Sequence, residues 1–264
     1  MLFKFPQTDL SYALHNHSDW SDGASSLEEM CRNAKEAGIR VFGISDHWVI
    51  PPHENMDSES WAMAPERLPD YIRTLQQLRT ELQDENFSLK IGLEVDFFFE
   101  NIDQVLADLK AFPLDYLIGS VHYSGIFPVD YVIEDWLDLD ETQKAEICET
   151  YYRKLSGAAE RREFAFIGHL DLPKKFGLID NRRYFPHAVK VLDILQKNGG
   201  AIEVNTAGYF KECAEAYPAP ELLAEAFRKS IPVIVSADAH HSSHLRRNFD
   251  PAAEVLKSTG YQVF

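Results

Sequence analysis

Short runs of β-branched and aromatic residues alternate along this chain with longer stretches in which apolar positions recur every three or four residues. Seven short runs stand out, at 10–17, 40–47, 89–94, 116–122, 165–169, 201–205 and 232–238, and each suits a buried strand. The stretch after the first run reads as a helix. Ser26-Leu27-Glu28-Glu29 has the form of a capping box, Leu27, Met30, Cys31, Ala34 and Ala37 share one face, and Gly38 ends it. The same spacing predicts helices near 65–86, 101–110, 141–163, 186–198, 220–230 and 248–258. Strands that alternate with helices imply parallel pairing through crossover helices, so the expected class is α/β, a parallel sheet or barrel. No internal repeat, low-complexity tract or Gly/Ser linker divides the chain, and residues 1–264 are expected to form a single domain.

With 264 residues and 45% hydrophobic content, the chain is long enough for one well-buried core. Its net charge of −16 argues against the basic stripe that a general nucleic-acid surface needs, so nucleic acid is not the expected partner. Cys31, Cys148 and Cys213 are far apart and odd in number. They form neither a disulfide framework nor a Cys-x-x-Cys clip, and read as buried small residues in a reducing compartment. The N-terminus shows no basic segment followed by a long apolar run, and no stretch approaches the ~18 apolar residues that span a bilayer. A cytoplasmic protein without a membrane partner is expected.

The chemistry lies where the runs end. In His15-Asn16-His17, extended backbone sends residues two apart to the same side, so both imidazoles can face one metal ion, and Asp22 follows a short loop later with a hard oxygen. Asp46-His47, Glu94, His122, His169 and Asp238-Ala239-His240 end other runs. In parallel α/β barrels this rim is where active sites are built. One histidine at a strand end is ordinarily a packed or surface residue. Six of the chain's ten at such ends point instead to a metal centre.

The set His15-x-His17 with Ser21-Asp22-Gly23, Ser45-Asp46-His47, Gly92-Leu93-Glu94, Gly119-Ser120-Val121-His122, Gly168-His169-Leu170-Asp171 and Ser236-Ala237-Asp238-Ala239-His240 resembles the PHP (polymerase and histidinol phosphatase) family. The resemblance spans nearly the whole chain in the family's order. Glu94-Val95-Asp96, Ile118-Gly119-Ser120-Val121-His122, Gly168-His169-Leu170-Asp171-Leu172 and Glu203-Val204-Asn205-Thr206-Ala207-Gly208 look most like its histidinol-phosphatase branch. It implies a distorted (β/α)7 barrel and a site for three divalent ions. Carried over by position, it implies His15, His17, Glu94 and Asp238 around one ion, and Glu94 as a bridge with His122 and His169 around a second. Asp22, His47 and His240 would hold the third. Imidazoles and carboxylates without thiolate suit Zn²⁺, Mn²⁺ or Fe²⁺ and do not choose among them. Asp46 is then expected to orient a neighbouring imidazole.

The resemblance implies phosphomonoester hydrolysis, with L-histidinol phosphate the leading substrate. The three ions would outweigh the carboxylates and favour a phosphate dianion, with a hydroxide bridging the Glu94-linked ions as nucleophile. Asp238 or His240 is expected to relay a proton to the leaving alkoxide. The alternatives are a phosphatase for sugar or nucleotide phosphates, a phosphodiesterase or exonuclease of the same family, and an inert metal-binding module. One departure stands out: where the branch leads one to expect a basic residue, Gly208 is followed by Tyr209, Phe210 and then Lys211. The phosphate grip is therefore expected from Lys211, Lys174, Lys175, Arg182 or Arg183. The long loop 48–63, with Pro51-Pro52, two tryptophans and the acids Glu54, Asp57 and Glu59, reads as a lid whose acids meet a cationic substrate.

Overall fold

In the computed structural model, which describes residues 8–264, all seven apolar runs contribute to parallel sheet. The strands are β1 (Tyr12–Ala13), β2 (Val41–Ile44) with its continuation β3 (His47–Trp48), β4 (Ser88–Asp96) and β5 (Tyr116–Ser120), then β8 (Phe166–Ile167), β9 (Ile202–Asn205) and β10 (Val233–Ser236). Between β5 and β8, β6 (Tyr123–Ser124) and β7 (Phe127–Pro128) form a separate antiparallel hairpin that the hydrophobic pattern did not predict. The helices are α1 (Leu27–Glu36), α2 (Leu68–Leu82), α3 (Ile102–Leu109), α4 (Glu134–Leu137), α5 (Glu141–Ala159), α6 (Asn181–Asn198), α7 (Pro220–Arg228) and α8 (Phe249–Thr259).

Spatial order follows chain order, β1-β2-β4-β5-β8-β9-β10, with β3 paired to β4. The two ends of the sheet meet where Asn16 bridges Ala239, and the His17 N–H donates to the Ala239 carbonyl at 2.9 Å. The result is a nearly closed barrel ringed by helices.

Side-chain alternation sorts each strand into two layers. Ile91, Leu93 and Val95 of β4, with Ile202 and Val204 of β9 and Val233 and Val235 of β10, join the main core. The residues between them face the barrel interior. At its amino end that interior is apolar, filled by Leu14, Ile118, Phe166, Ile234 and the ring of Tyr116. Tyr116 donates its hydroxyl to the Leu14 carbonyl at 2.5 Å, and a Cβ at Gly43 or Gly92 would lie 2.3 Å from Tyr116, so both positions need glycine. Toward the carboxyl end the inward residues become polar, with Glu94, Asp96, Glu203, Asn205 and Ser236 all buried.

Two local expectations change. Ser26 caps α1 by accepting from the Glu29 N–H at 3.2 Å, but Glu29 turns away to accept from the Ser242 hydroxyl, leaving the capping box half made. The complete box stands at Asp140 and Gln143 on α5. α6 begins at Asn181, before the expected 186, because Asp180 caps it and Pro186 lies inside the helix. Among the described residues no helix is long and apolar enough to cross a membrane.

Candidate metal centre

The polar inner layer converges on the Glu94 carboxylate. His47 Nδ1 lies 2.7 Å from it, His169 Nε2 3.0 Å, His15 Nε2 3.3 Å, His17 Nε2 3.6 Å and His122 Nε2 3.7 Å. Asp238 approaches His17 Nε2 at 3.1 Å, while Asp22 lies 3.2 Å from His240 Nε2 and 3.5 Å from His47 Nε2. Ligating atoms of His17, Asp22, His47 and His240 lie within 4.8 Å of one another, as do those of His15, His17 and Glu94 and those of His47, Glu94 and His122. The expected grouping kept His17 apart from Asp22 and His47 apart from Glu94. Here His17 and His47 each stand between two groups.

These donors fit metal ions on the structure's own terms. His15 Nε2, both ring nitrogens of His17, Glu94 Oε2 and Asp238 Oδ1 are buried without a hydrogen-bond partner, which is costly unless a cation completes them. Burial alone would raise the pKa of Glu94, but His15, His47 and His122 outweigh it and hold the carboxyl well below its usual range. Burial followed by His47 and His240 pushes His17 down to about 3, favouring the neutral ring that ligates a metal.

A surrounding set of polar groups aims the donors. Glu203 accepts from His15 Nδ1 at 2.9 Å, from the His169 N–H at 2.6 Å, from the Asn205 amide at 3.0 Å and from the Ser236 hydroxyl. His15 is thereby left with Nε2 toward the cluster. His240 donates Nδ1–H to the Asp238 carbonyl at 2.9 Å, which likewise directs its Nε2 to Asp22. Asp96 accepts from the His122 N–H at 2.9 Å. Asp238 adopts φ 49°, a left-handed conformation uncommon outside turns. Asp46 does not orient an imidazole. It accepts from the Ser18 N–H and hydroxyl, each at 2.7 Å, and from the Ser21 hydroxyl at 2.6 Å, tying down the loop that presents Asp22. A Cβ on Gly23 would lie 2.6 Å from the His17 carbonyl, so the loop's return requires glycine there.

The cluster opens on a cavity of about 410 Å³ whose wall includes Trp61, Asp130, Lys175, Lys211 and Arg247. Of the five cations expected to grip phosphate, Lys175 and Lys211 line it. Lys174 is instead buried against Asp171 at 3.1 Å and Glu215 at 2.8 Å. Arg182 pairs with Asp180 at the exposed start of α6, and Arg183 faces Glu141, so neither borders the cavity. Loop 48–63 reaches the cavity through Trp61, which packs against the rings of His47 and His122 at 4.8 and 5.3 Å. Its acids turn elsewhere: Asp57 accepts from Ser60, and Glu54 and Glu59 are exposed. Besides Asp22 and Asp238 of the cluster, the acid that lines the cavity is Asp130, bonded to Lys175. The sequence reading missed Asp130, Glu203 and Arg247 as site residues. An acid on a buried strand, two positions before Asn205, was a readable signal for Glu203. Loop residues such as Asp130 and Arg247 carried none.

A family profile for the PHP domain matches residues 13–207. A Deinococcus radiodurans protein named a probable histidinol-phosphatase is 35% identical over 232 residues, covering 88% of this chain and 86% of that protein. A Schizosaccharomyces pombe protein of the same name is 25% identical over 263 residues, covering 93% and 86%. Among solved structures, histidinol phosphate phosphatase from Lactococcus lactis, complexed with zinc, L-histidinol and phosphate, superposes with a TM-score of 0.81 at 20% identity, covering 97% of this chain and 96% of that one.

Proposed function

Because the chain belongs to the PHP domain family, we propose that it is a metal-dependent phosphomonoesterase that hydrolyses L-histidinol phosphate to L-histidinol and inorganic phosphate. The observation that carries this reading is the convergence of five imidazoles on the buried Glu94 carboxylate at the floor of a cavity sized for a small phosphoester. The names of the relatives and the zinc, histidinol and phosphate bound by the Lactococcus protein support it.

We assign the ligand roles to His15, His17, Asp22, His47, Glu94, His122, His169, Asp238 and His240, holding three divalent ions of the zinc, manganese or iron type. When bound, such ions supply Lewis-acid polarisation of phosphoryl oxygens and lower the pKa of water toward ~7. The chain's own groups do the rest. Asp22, Asp238 and His240 are the donors most open to the cavity, with side chains 33%, 17% and 37% exposed. We assign Asp238 and His240 to the delivery of a proton through water to the leaving oxygen. Despite burial, His15 and His17 keep Asp238 ionised, so it serves as the acceptor that orients that water, while Asn205 steadies its Oδ2 at 3.0 Å. Because His240 Nδ1–H is tied to a carbonyl, Nε2 is the atom that would hold an ion, and the ring's part in proton delivery would be to position the water rather than to carry the proton itself. Asp130, whose carboxylate is shared with Lys175, and the Trp61 and Tyr123 side chains on the same wall are the groups the substrate's ammonium end would meet.

The test is phosphate release from L-histidinol phosphate by protein loaded with Zn²⁺ or Mn²⁺. Activity should vanish on chelation and return with metal, and Glu94→Ala should lower turnover by about 10³-fold or more. Fully loaded protein that leaves L-histidinol phosphate intact but cleaves sugar phosphates, nucleotides or oligonucleotides would overturn the assignment.

A further inference from the structure

The cavity has three cations on its wall, and they differ in what already occupies them. Lys175 is engaged by the carboxylate and carbonyl of Asp130. Lys211 stands exposed at the rim. Arg247 is different: among the described residues no carboxylate lies within 4 Å of its guanidinium, whose one polar side-chain neighbour is His244 Nε2 at 3.5 Å. The guanidinium carbon lies over Phe210, 3.5 Å from the ring centroid. Phe210 is half exposed, and nothing in the main core requires it.

The backbone beneath Arg247 is fixed on both sides. Its carbonyl accepts from the Thr206 hydroxyl at 2.6 Å, and its N–H donates to the His244 carbonyl at 3.0 Å. These bonds tie it to the end of β9 and to the segment that carries Asp238 and His240. An arginine stacked on an aromatic ring keeps its N–H edge free for hydrogen bonding and loses less side-chain freedom on binding an oxyanion. A planar fork of donors matches two phosphate oxygens, which an ammonium does not.

We propose that Arg247, braced by Phe210, is a phosphate-binding residue of this cavity, gripping the oxygens that face away from the metal cluster. This rests on the phosphomonoesterase reading, and the experiment separates the two. Metal-loaded wild type, Arg247→Ala, Arg247→Lys, Phe210→Ala and, as an exposed neighbour outside the cavity, Arg246→Ala are compared by calorimetric titration with inorganic phosphate and by kcat and KM for L-histidinol phosphate. Thermal unfolding of each variant is recorded alongside.

Arg247→Ala should weaken phosphate binding and raise KM by about 10- to 100-fold, Arg247→Lys should recover only part of that, and Phe210→Ala should show a smaller loss in the same direction. Arg246→Ala should match wild type. If wild type turns over while Arg247→Ala keeps its phosphate affinity and KM, the inference is wrong and the phosphatase reading stands. If wild type turns over nothing but binds phosphate through Arg247, the inference stands and that reading fails. A lower unfolding temperature with unaltered phosphate affinity would mark Arg247 as structural and also overturn the proposal.

Discussion

Glu203 shows how much of this site depends on a residue that touches no cavity. It is fully buried, yet it accepts from His15, His169, Asn205 and Ser236. Burial would raise its pKa, but His15 and then His169 outweigh that and keep it ionised. An amide in its place has one acceptor oxygen and an N–H₂ that opposes the incoming donors. Glu203→Gln is therefore expected to weaken metal affinity by about 10- to 100-fold, measured by competition with a chelator of known strength. Unchanged affinity would show that His15 needs no such partner. Glu203 was legible in part, as an acid on a buried apolar strand. Its partners were not, because His15 lies 188 positions away.

At the scale of elements, the turn after β8 explains why Lys174 stays off the cavity wall. The segment folds back so that Lys174 Nζ reaches Asp171, Glu215 and the Ala216 carbonyl, and Asp171 also accepts from the Ala219 N–H and the Asn181 side chain. One buried ion pair thus links the end of β8, the start of α6 and the approach to α7. Removing the cation leaves Asp171 buried without its counter-charge, so Lys174→Ala should lose about 3–5 kcal/mol in urea unfolding, with KM for the phosphoester little changed. A large rise in KM at full stability would return Lys174 to the phosphate site. Two adjacent lysines, Lys174 and Lys175, have the same chemistry in the sequence, and only the direction of the turn sends one inward and the other to the cavity.

The cluster of imidazoles and carboxylates links the whole molecule's stability to pH, and on the proposed metal site the sign would depend on whether ions are bound. In metal-free protein, burial opposes the charged imidazole, but neighbouring carboxylates prevail: His15, His47 and His169 are raised, and His240 is raised to about 9 by Asp22 and Asp238. Groups raised in the fold contribute fully below their unfolded value near ~6.5, and that contribution is lost as pH rises through the folded value. His17 and His122, which are lowered, have stopped contributing to the slope above ~6.5. Chelated protein should therefore melt at progressively lower temperature between pH ~6.5 and ~9, whereas metal-loaded protein, which needs neutral rings, should gain on its chelated form over the same window. Parallel melting curves for the two forms would contradict the shared site.

What the sequence determined by itself was local and periodic: seven strand runs, the helices between them, and the polar residues at which those runs stop. Those features follow from side-chain alternation and helical spacing, which a linear reading contains. Tertiary structure alone decided the rest. It set His17 and His47 between neighbouring donor groups, turned Asp46 to the loop, buried Lys174, left Arg182 and Arg183 on the surface, and laid Arg247 over Phe210. Each of these depends on closing the barrel and on the path of a connecting loop. Closure brings together residues more than a hundred positions apart, and no spacing rule along the chain encodes those meetings.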